Sequence, residues 1–378
     1  MTTVLHSVRL VDEGHTRDDA WVAFRDGVVA ATGTGDDWRG LPVADAVDGA
    51  GRVLTPGFID IHGHGAGAAA YDDGAEAIAT ARAVHRAHGT TRAILSLVTA
   101  SIDDLAARAA VVADAVDADA TLLGIHLEGP FLDVAHKGAH TESLLRAPDA
   151  AAVDRLLDAG RGMIRQITLA PELPGGLDAV RRFTDAGVAV AVGHTAATEA
   201  EAAAAFDGGA TLLTHAFNAM PGIHHRAPGP IVAALQDERV TLELIADGIH
   251  VHPDVIALAF TSAAGRIALI TDAMAAAGAP EGHYELGGLA VTVKDDTARL
   301  DSNGAIAGST LTQDAALRLV VDRGIPLPDA VAALTRVPAR AFGWEGRYGS
   351  LRPGAAADAV LLDDGLHVDE VWVDGARV

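Results

Sequence analysis

The chain has 378 residues, of which 49% are hydrophobic, 21% charged and only 4% aromatic. That is enough apolar material for a large core, and it excludes general disorder. Acidic residues number 51 against 28 basic ones, a net charge of −23, which argues against nucleic acid or an anionic membrane as partner, and the absence of cysteine excludes disulfides, thiolate metal ligands and thiol nucleophiles.

The first residues, MTTVLHSVRLVDEG, carry no long apolar run before their first charges, and no uninterrupted apolar stretch of about 18 residues follows. Neither an export signal nor a membrane span is expected, and the cytoplasm is the expected location. TTVLHSVRLV and AWVAFRDGVVAATG read as short strands, with Asp26-Gly27 as a hairpin turn. From residue 54 the pattern changes to apolar runs alternating with Ala-rich helical stretches such as 102–118 and 176–186. Eight strands are predicted, at 57–64, 91–99, 121–129, 164–172, 188–195, 211–219, 241–250 and 267–274. A hairpin insertion near 282–308 and helices near 312–323 and 327–341 follow, and short strands return towards the end of the chain.

Buried strands alternating with helices indicate a parallel sheet, and eight such units in about 280 residues fit a closed (β/α)8 barrel of the TIM type. The expected architecture is α/β, with the barrel over 54–343 and one small β-sandwich domain built jointly from 1–53 and 344–378. Phosphate-binding loops of the Rossmann or P-loop type are absent, since GHGAGAAA lacks the G-x-G-x-x-G spacing.

The polar residues on these strands carry the chemistry. His62 and His64 end the first strand, Glu128 the third, His194 the fifth and His250 the seventh; His215 and Asp272 lie late in the sixth and eighth. In a parallel barrel these ends converge on one mouth, where barrel enzymes keep their active sites. Positions i and i+2 of a strand share a face, so both members of the His62-x-His64 pair can turn inward. Four of these histidines, His62, His64, His194 and His215, with the carboxylates Glu128 and Asp272, are ligands suited to Zn²⁺ or a related divalent ion. Taken singly, His194 or His215 reads as a hydrogen-bonded core histidine, Asp272 as a helix cap and Glu128 as a loop residue. One ion site accounts for all six together. Lys137 and Lys294 fall in a loop and in the insertion, away from every strand end, so Glu128 is the candidate for a shared bridging carboxylate.

The motifs PGFIDIHGHG, GIHLEGPFL, KGAH, VGHTAAT, THAFNAM, HHRAPGP, ADGIHVHP, TDAMAAAG and AGSTLT, in this order, resemble those of N-acetylglucosamine-6-phosphate deacetylases of the amidohydrolase superfamily. The resemblance implies a metal-dependent hydrolase that releases acetate from N-acetyl-D-glucosamine 6-phosphate. Glu128, His194 and His215 resemble the principal metal triad, and His62 and His64 imply room for a second ion. One or two divalent ions per subunit are therefore expected, zinc first, with iron, manganese, cobalt or cadmium as alternatives. Asp272 resembles the catalytic acid/base at the metals, and His140 a loop histidine that polarises the acetyl carbonyl. Asn218, Ala219 and His250 resemble phosphate contacts. Arg226 resembles an arginine that reaches the partner's substrate across a homodimer. The sequence departs from the pattern at Ala227, where an acidic residue is expected beside that arginine.

Three other readings compete. A cyclic-amide hydrolase or deaminase would share the barrel and the metal ligands but not the phosphate-side motifs. A non-catalytic barrel should have lost ligands or the acid/base, and a sugar-phosphate sensor should carry a DNA-binding element; the sequence shows neither feature.

Overall fold

The computed structural model describes residues 2–378 and divides into two compact units. One is built from the chain ends, up to Asp60 and from Gln313–Val378, together with His85–Arg92; the other comprises Ile61–Val84 and Ala93–Thr312.

In the first unit, eight strands from both ends of the chain form one sheet. Its order is Ala376–Arg377, Val368–Val373, Ala359–Leu362, Val53–Pro56, Thr2–Asp12, His15–Arg25 and Val28–Thr34, with Asp45–Asp48 pairing alongside Thr2–Asp12. The two ends of the chain meet where Val53–Pro56 pairs antiparallel with Ala359–Leu362. Asp26 and Gly27 form the predicted tight turn, with φ of 53° and 80°, so both adopt the left-handed conformation that matches strand twist. The two-residue period of the strands separates their faces. Val22 and Phe24 join Leu5, Leu54 and Trp372 in one apolar cluster, while Trp21 and Ala23 join Val4 and Trp38 in another.

Arg92 is the main polar anchor of this unit. Its buried guanidinium donates to both oxygens of Asp358, at 2.7 and 3.0 Å, and also pairs with Asp374. Removing one partner of a buried pair leaves the other charge unpaired. We therefore expect Arg92→Ala to destabilise the fold by about 3–5 kcal/mol. Chemical denaturation of the two proteins checks this, and a loss below about 1 kcal/mol contradicts it.

The barrel sheet runs Phe58–Asp60, Thr90–Val98, Leu122–Glu128, Ile164–Leu169, Ala189–Val192, Leu212–Leu213, Thr241–Ile245 and Ile267–Ile270, in chain order, and every pairing recorded from Thr90–Val98 onward is parallel. The ring is drawn together beyond the strands, where the Asp272 amide donates to His62 O at 2.8 Å and the His64 amide to Ala273 O at 2.7 Å. Several strands are shorter than their apolar runs: 57–64 contributes only Phe58–Asp60, and 211–219 only Leu212–Leu213. The chain leaves the sheet early because it must turn. His194, His215 and Asp272 have φ of 45°, 25° and 49°, a region that ends any extended run.

The insertion is a three-stranded antiparallel meander (Gly282–Leu286, Leu289–Lys294, Thr297–Leu300) rather than a hairpin. Leu286, Val291, Val293 and Leu300 pack with Val98 and Met274, which fixes the meander to the rim of the barrel. Among the described residues no helix is long and apolar enough to cross a membrane.

Candidate metal centre and active site

All six predicted ligands are buried and lie together. Only Glu128 is the last residue of a strand; the others stand in the loops just beyond their strands, which corrects the expectation that His62, His64, His194, His215 and Asp272 are strand residues. Two groups form, His62 with His64 and Asp272, and Glu128 with His194 and His215, each with ligand atoms within 4.8 Å of one another. The left-handed backbone at His194, His215 and Asp272 is uncommon for residues with a side chain and concentrates at functional sites.

Glu128 lies at the centre. Its Oε1 is 3.2 Å from Nε2 of both His194 and His215 and 3.3 Å from Nε2 of His62. Its Oε2 is 3.1 Å from Nε2 of His64 and 3.5 Å from Nε2 of His140. Asp272 Oδ1 lies 3.3 Å from His64 Nε2 and 3.6 Å from His62 Nε2. The His194 and His215 Nε2 atoms approach to 3.0 Å. Ligands at roughly 2.0–2.2 Å from one ion stand roughly 2.9–3.5 Å apart in octahedral or tetrahedral geometry, so these spacings suit coordination. The donor set, imidazole nitrogen and carboxylate oxygen, also suits a divalent transition ion.

The electrostatics point the same way. Burial opposes charge on His62, yet Glu128, Glu243 and Asp272 outweigh it and hold its pKa well above the usual value. The same opposition leaves His64 at about 9, with Asp272 and Glu128 as the raising groups. Burial pushes Asp272 up, but the bond from His64 and the charge of His62 bring it down to about 2. Glu128 is likewise held well below the carboxylate range, against burial, by His62 and the other histidines around it. The carboxylates thus draw protons onto the imidazoles, and a cation would take the place of those protons.

Around this centre is a cavity of about 430 Å³. His64, Glu128, His140, His194, His215 and Asp272 line it, and so do the predicted phosphate-side residues Asn218, Ala219 and His250. His250 is oriented by Asp247, whose Oδ2 accepts from Nδ1 at 2.6 Å and raises the ring's pKa against the effect of burial. Burial, followed by the charge of His194, lowers His140 to about 4, so its ring is neutral at ordinary pH. Arg226 is absent from the lining; it is exposed, with its guanidinium 2.7 Å from His225 Nε2.

Sequence reasoning missed two parts of the site. The meander supplies Leu286, and the segment after it Ile306, as an apolar wall. Below the ligands, Ser96, His126, Gln166, Thr168 and Glu243 form a fully buried polar layer. Its signal was legible as polar residues in the middle of apolar strands, such as Glu243 in TLELI and Gln166 in IRQITL.

Residues 53–378 match the amidohydrolase family, and the chain belongs to it. The superfamily is metal-dependent, and this chain carries the buried His, Glu and Asp groups described above. Among its relatives is the N-acetylgalactosamine-6-phosphate deacetylase of Escherichia coli O157:H7, 40% identical over 99% of each chain. The N-acetylglucosamine-6-phosphate deacetylase of Vibrio furnissii is 34% identical over 91% of this chain and 87% of its own. A mutant N-acetyl-D-glucosamine-6-phosphate deacetylase from Mycobacterium smegmatis, solved in complex with N-acetyl-D-glucosamine-6-phosphate, superposes with a TM-score of 0.94. That structure is 39% identical, with 100% of this chain and 98% of its own covered.

Proposed function

We propose that this chain hydrolyses the acetamide of N-acetyl-D-glucosamine 6-phosphate, giving D-glucosamine 6-phosphate and acetate. The observation that carries the reading is one cavity lined by five of the six clustered ligand residues, with His62 buried directly behind them, and by the phosphate-side residues Asn218, Ala219 and His250. Glu128, His194 and His215 would hold one ion, and His62, His64 and Asp272 a second, with zinc the first choice for the donor set. A divalent ion bound there supplies Lewis-acid polarisation of the amide and a nucleophile competent near neutral pH.

The chain's own residues do the rest. Asp272, ionised and acceptor-only, takes the proton of the attacking water and returns it to the amine nitrogen, which must be protonated to leave. His140 stabilises charge developing on the acetyl oxygen. The Thr99 hydroxyl donates to Glu128 O at 3.0 Å and lies 2.8 Å from His140 Nδ1, which holds the His140 ring in the wall of the cavity. His250, its Nδ1 held by Asp247, presents Nε2 to the phosphate.

Arg226 would meet the same phosphate from a second copy of the chain, a reading that its exposed position outside its own cavity supports. In that homodimer, Arg226→Ala removes a charge-assisted bond of about 1.5–3 kcal/mol. The expected result is a loss of about 10–100-fold in the preference for phosphorylated over plain N-acetylglucosamine, read from kcat/KM on both sugars. An unchanged preference removes Arg226 from the site.

A second reading is favoured by the 40% identity to an N-acetylgalactosamine-6-phosphate deacetylase. The two sugars differ only in the configuration of one ring hydroxyl, and the acetamide and phosphate machinery serves both. Acetate release from the two 6-phosphates, compared as kcat/KM, separates the readings. A higher value for the gluco sugar supports the first, and a higher value for the galacto sugar supports the second.

A further inference from the structure

We infer that Glu243 is a positioning residue that fixes the ring of His62 for the ion shared with His64 and Asp272. The inference rests on the metal-dependent reading above and assigns a role to a residue outside the cavity.

Glu243 lies in the strand Thr241–Ile245 and is 0% exposed. One carboxylate oxygen, Oε2, is 3.0 Å from His62 Nδ1; the other accepts from Gln166 Nε2 at 2.6 Å. Oε1 accepts from the Gln166 amide, and with Oε2 likewise an acceptor His62 carries its proton on Nδ1 towards Glu243. Nε2 is thereby left as the ligand atom, facing Glu128 Oε1 at 3.3 Å and Asp272 Oδ1 at 3.6 Å. A carboxylate donating electron density through an imidazole both orients the ring and makes it a stronger ligand.

Several further contacts fix this arrangement. The Glu243 carbonyl accepts from the Ala216 amide at 2.7 Å, which ties the strand to the loop that carries His215. Gln166 holds the second carboxylate oxygen, so Glu243 cannot turn away from His62 without breaking a buried bond. On another side, the His126 ring packs edge-on to His62 with centroids 4.4 Å apart. His126 is itself held by hydroxyls of Ser96 and Thr168, each at 2.8 Å. Neither Glu243 nor Gln166 lines the cavity, so any effect on the reaction passes through His62.

The contact is specific to one of the two groups. His62 belongs with His64 and Asp272, whereas the second-nitrogen partner of His194 is the backbone carbonyl of His136 at 2.9 Å. Loss of the Glu243 carboxylate should therefore weaken one ion and spare the other.

The test is a chelator-competition titration of the full chain with Zn²⁺ and Co²⁺, on wild type, Glu243→Gln and Glu243→Ala. Wild type is expected to hold two equivalents. Both variants are expected to hold one equivalent with unchanged affinity and to bind the second about 10–100-fold more weakly, with the alanine variant the weaker. Glu243→Gln keeps the shape of the side chain, so it carries the test if the alanine variant does not fold. Unchanged affinity for two ions in Glu243→Gln overturns the inference. Equal weakening of both ions, with a lowered melting temperature of the metal-free protein, also overturns it and marks Glu243 as a general packing residue. A wild type holding a single ion that is indifferent to Glu243 overturns it as well. Wild-type protein that holds no ion at all defeats the metal-dependent reading itself and is distinguishable from each of these.

Discussion

Asp272→Asn is expected to lower kcat on N-acetyl-D-glucosamine 6-phosphate by about 10²–10⁴-fold while the folded protein keeps most of its bound metal. Asp272 sits at φ 49°, where a side chain is tolerated best when it is Asn or Asp. Asparagine therefore preserves the turn that an alanine would strain. It also keeps one oxygen towards His64 Nε2, 3.3 Å from Oδ1 in the native protein. What it removes is the capacity to accept and return a proton. Turnover and metal content measured on the same preparation separate these effects. A variant with full metal and near-normal turnover contradicts the assignment of Asp272 as acid/base.

The second large effect is expected at Glu128. One carboxylate faces Nε2 of five histidines, His62, His64, His140, His194 and His215, at 3.1–3.5 Å. No other residue of the cluster touches both ligand groups so closely. Glu128→Gln removes the shared negative charge at constant shape, so both ions should be lost together. A bound ion supplies several kcal/mol of transition-state stabilisation, so activity without added metal should fall on the order of 10³-fold. Excess Zn²⁺ should restore only part of it. Elemental analysis after dialysis reads the metal directly. Two retained equivalents in Glu128→Gln would contradict the bridging role, in contrast to the selective loss expected at Glu243.

The sequence made the barrel legible because its strands are continuous apolar runs separated by helical stretches, a pattern with few other solutions. The ligands were legible because the loops just beyond successive strands converge on one mouth, so six scattered polar residues acquire one location. The strand ends themselves were misplaced. His194, His215 and Asp272 leave the sheet through left-handed backbone, and although His and Asp are enriched in that region, it is uncommon enough for any side chain that the residue type does not announce such a turn. The buried layer under the site escaped notice for a different reason. Glu243 and Gln166 sit in the middle of strands, and which way a mid-strand residue points depends on register, set by neighbours distant in the chain. Arg226 shows the limit of a single chain. Its motif suggests phosphate, yet within one copy it is exposed, with its guanidinium against the neighbouring His225.

The net charge of −23 bears on selectivity. A chain of that charge repels a sugar phosphate at long range, although salt screens the field beyond about 8 Å. On the proposed function, phosphate recognition must therefore be local and would rest on His250, oriented by Asp247, on Asn218 at the cavity wall and on Arg226 of a second copy.

On the proposed function, the ions and the phosphate side of one cavity act on one substrate. The most direct measurement is acetate release by metal-stripped protein as Zn²⁺ is added back, with N-acetyl-D-glucosamine 6-phosphate and the unphosphorylated sugar compared in parallel. The expected result is no release without metal, recovery on addition of Zn²⁺, and a clear preference for the phosphorylated sugar. Release that is indifferent to metal removal, or absent from the phosphorylated sugar with every divalent ion tried, would contradict the account.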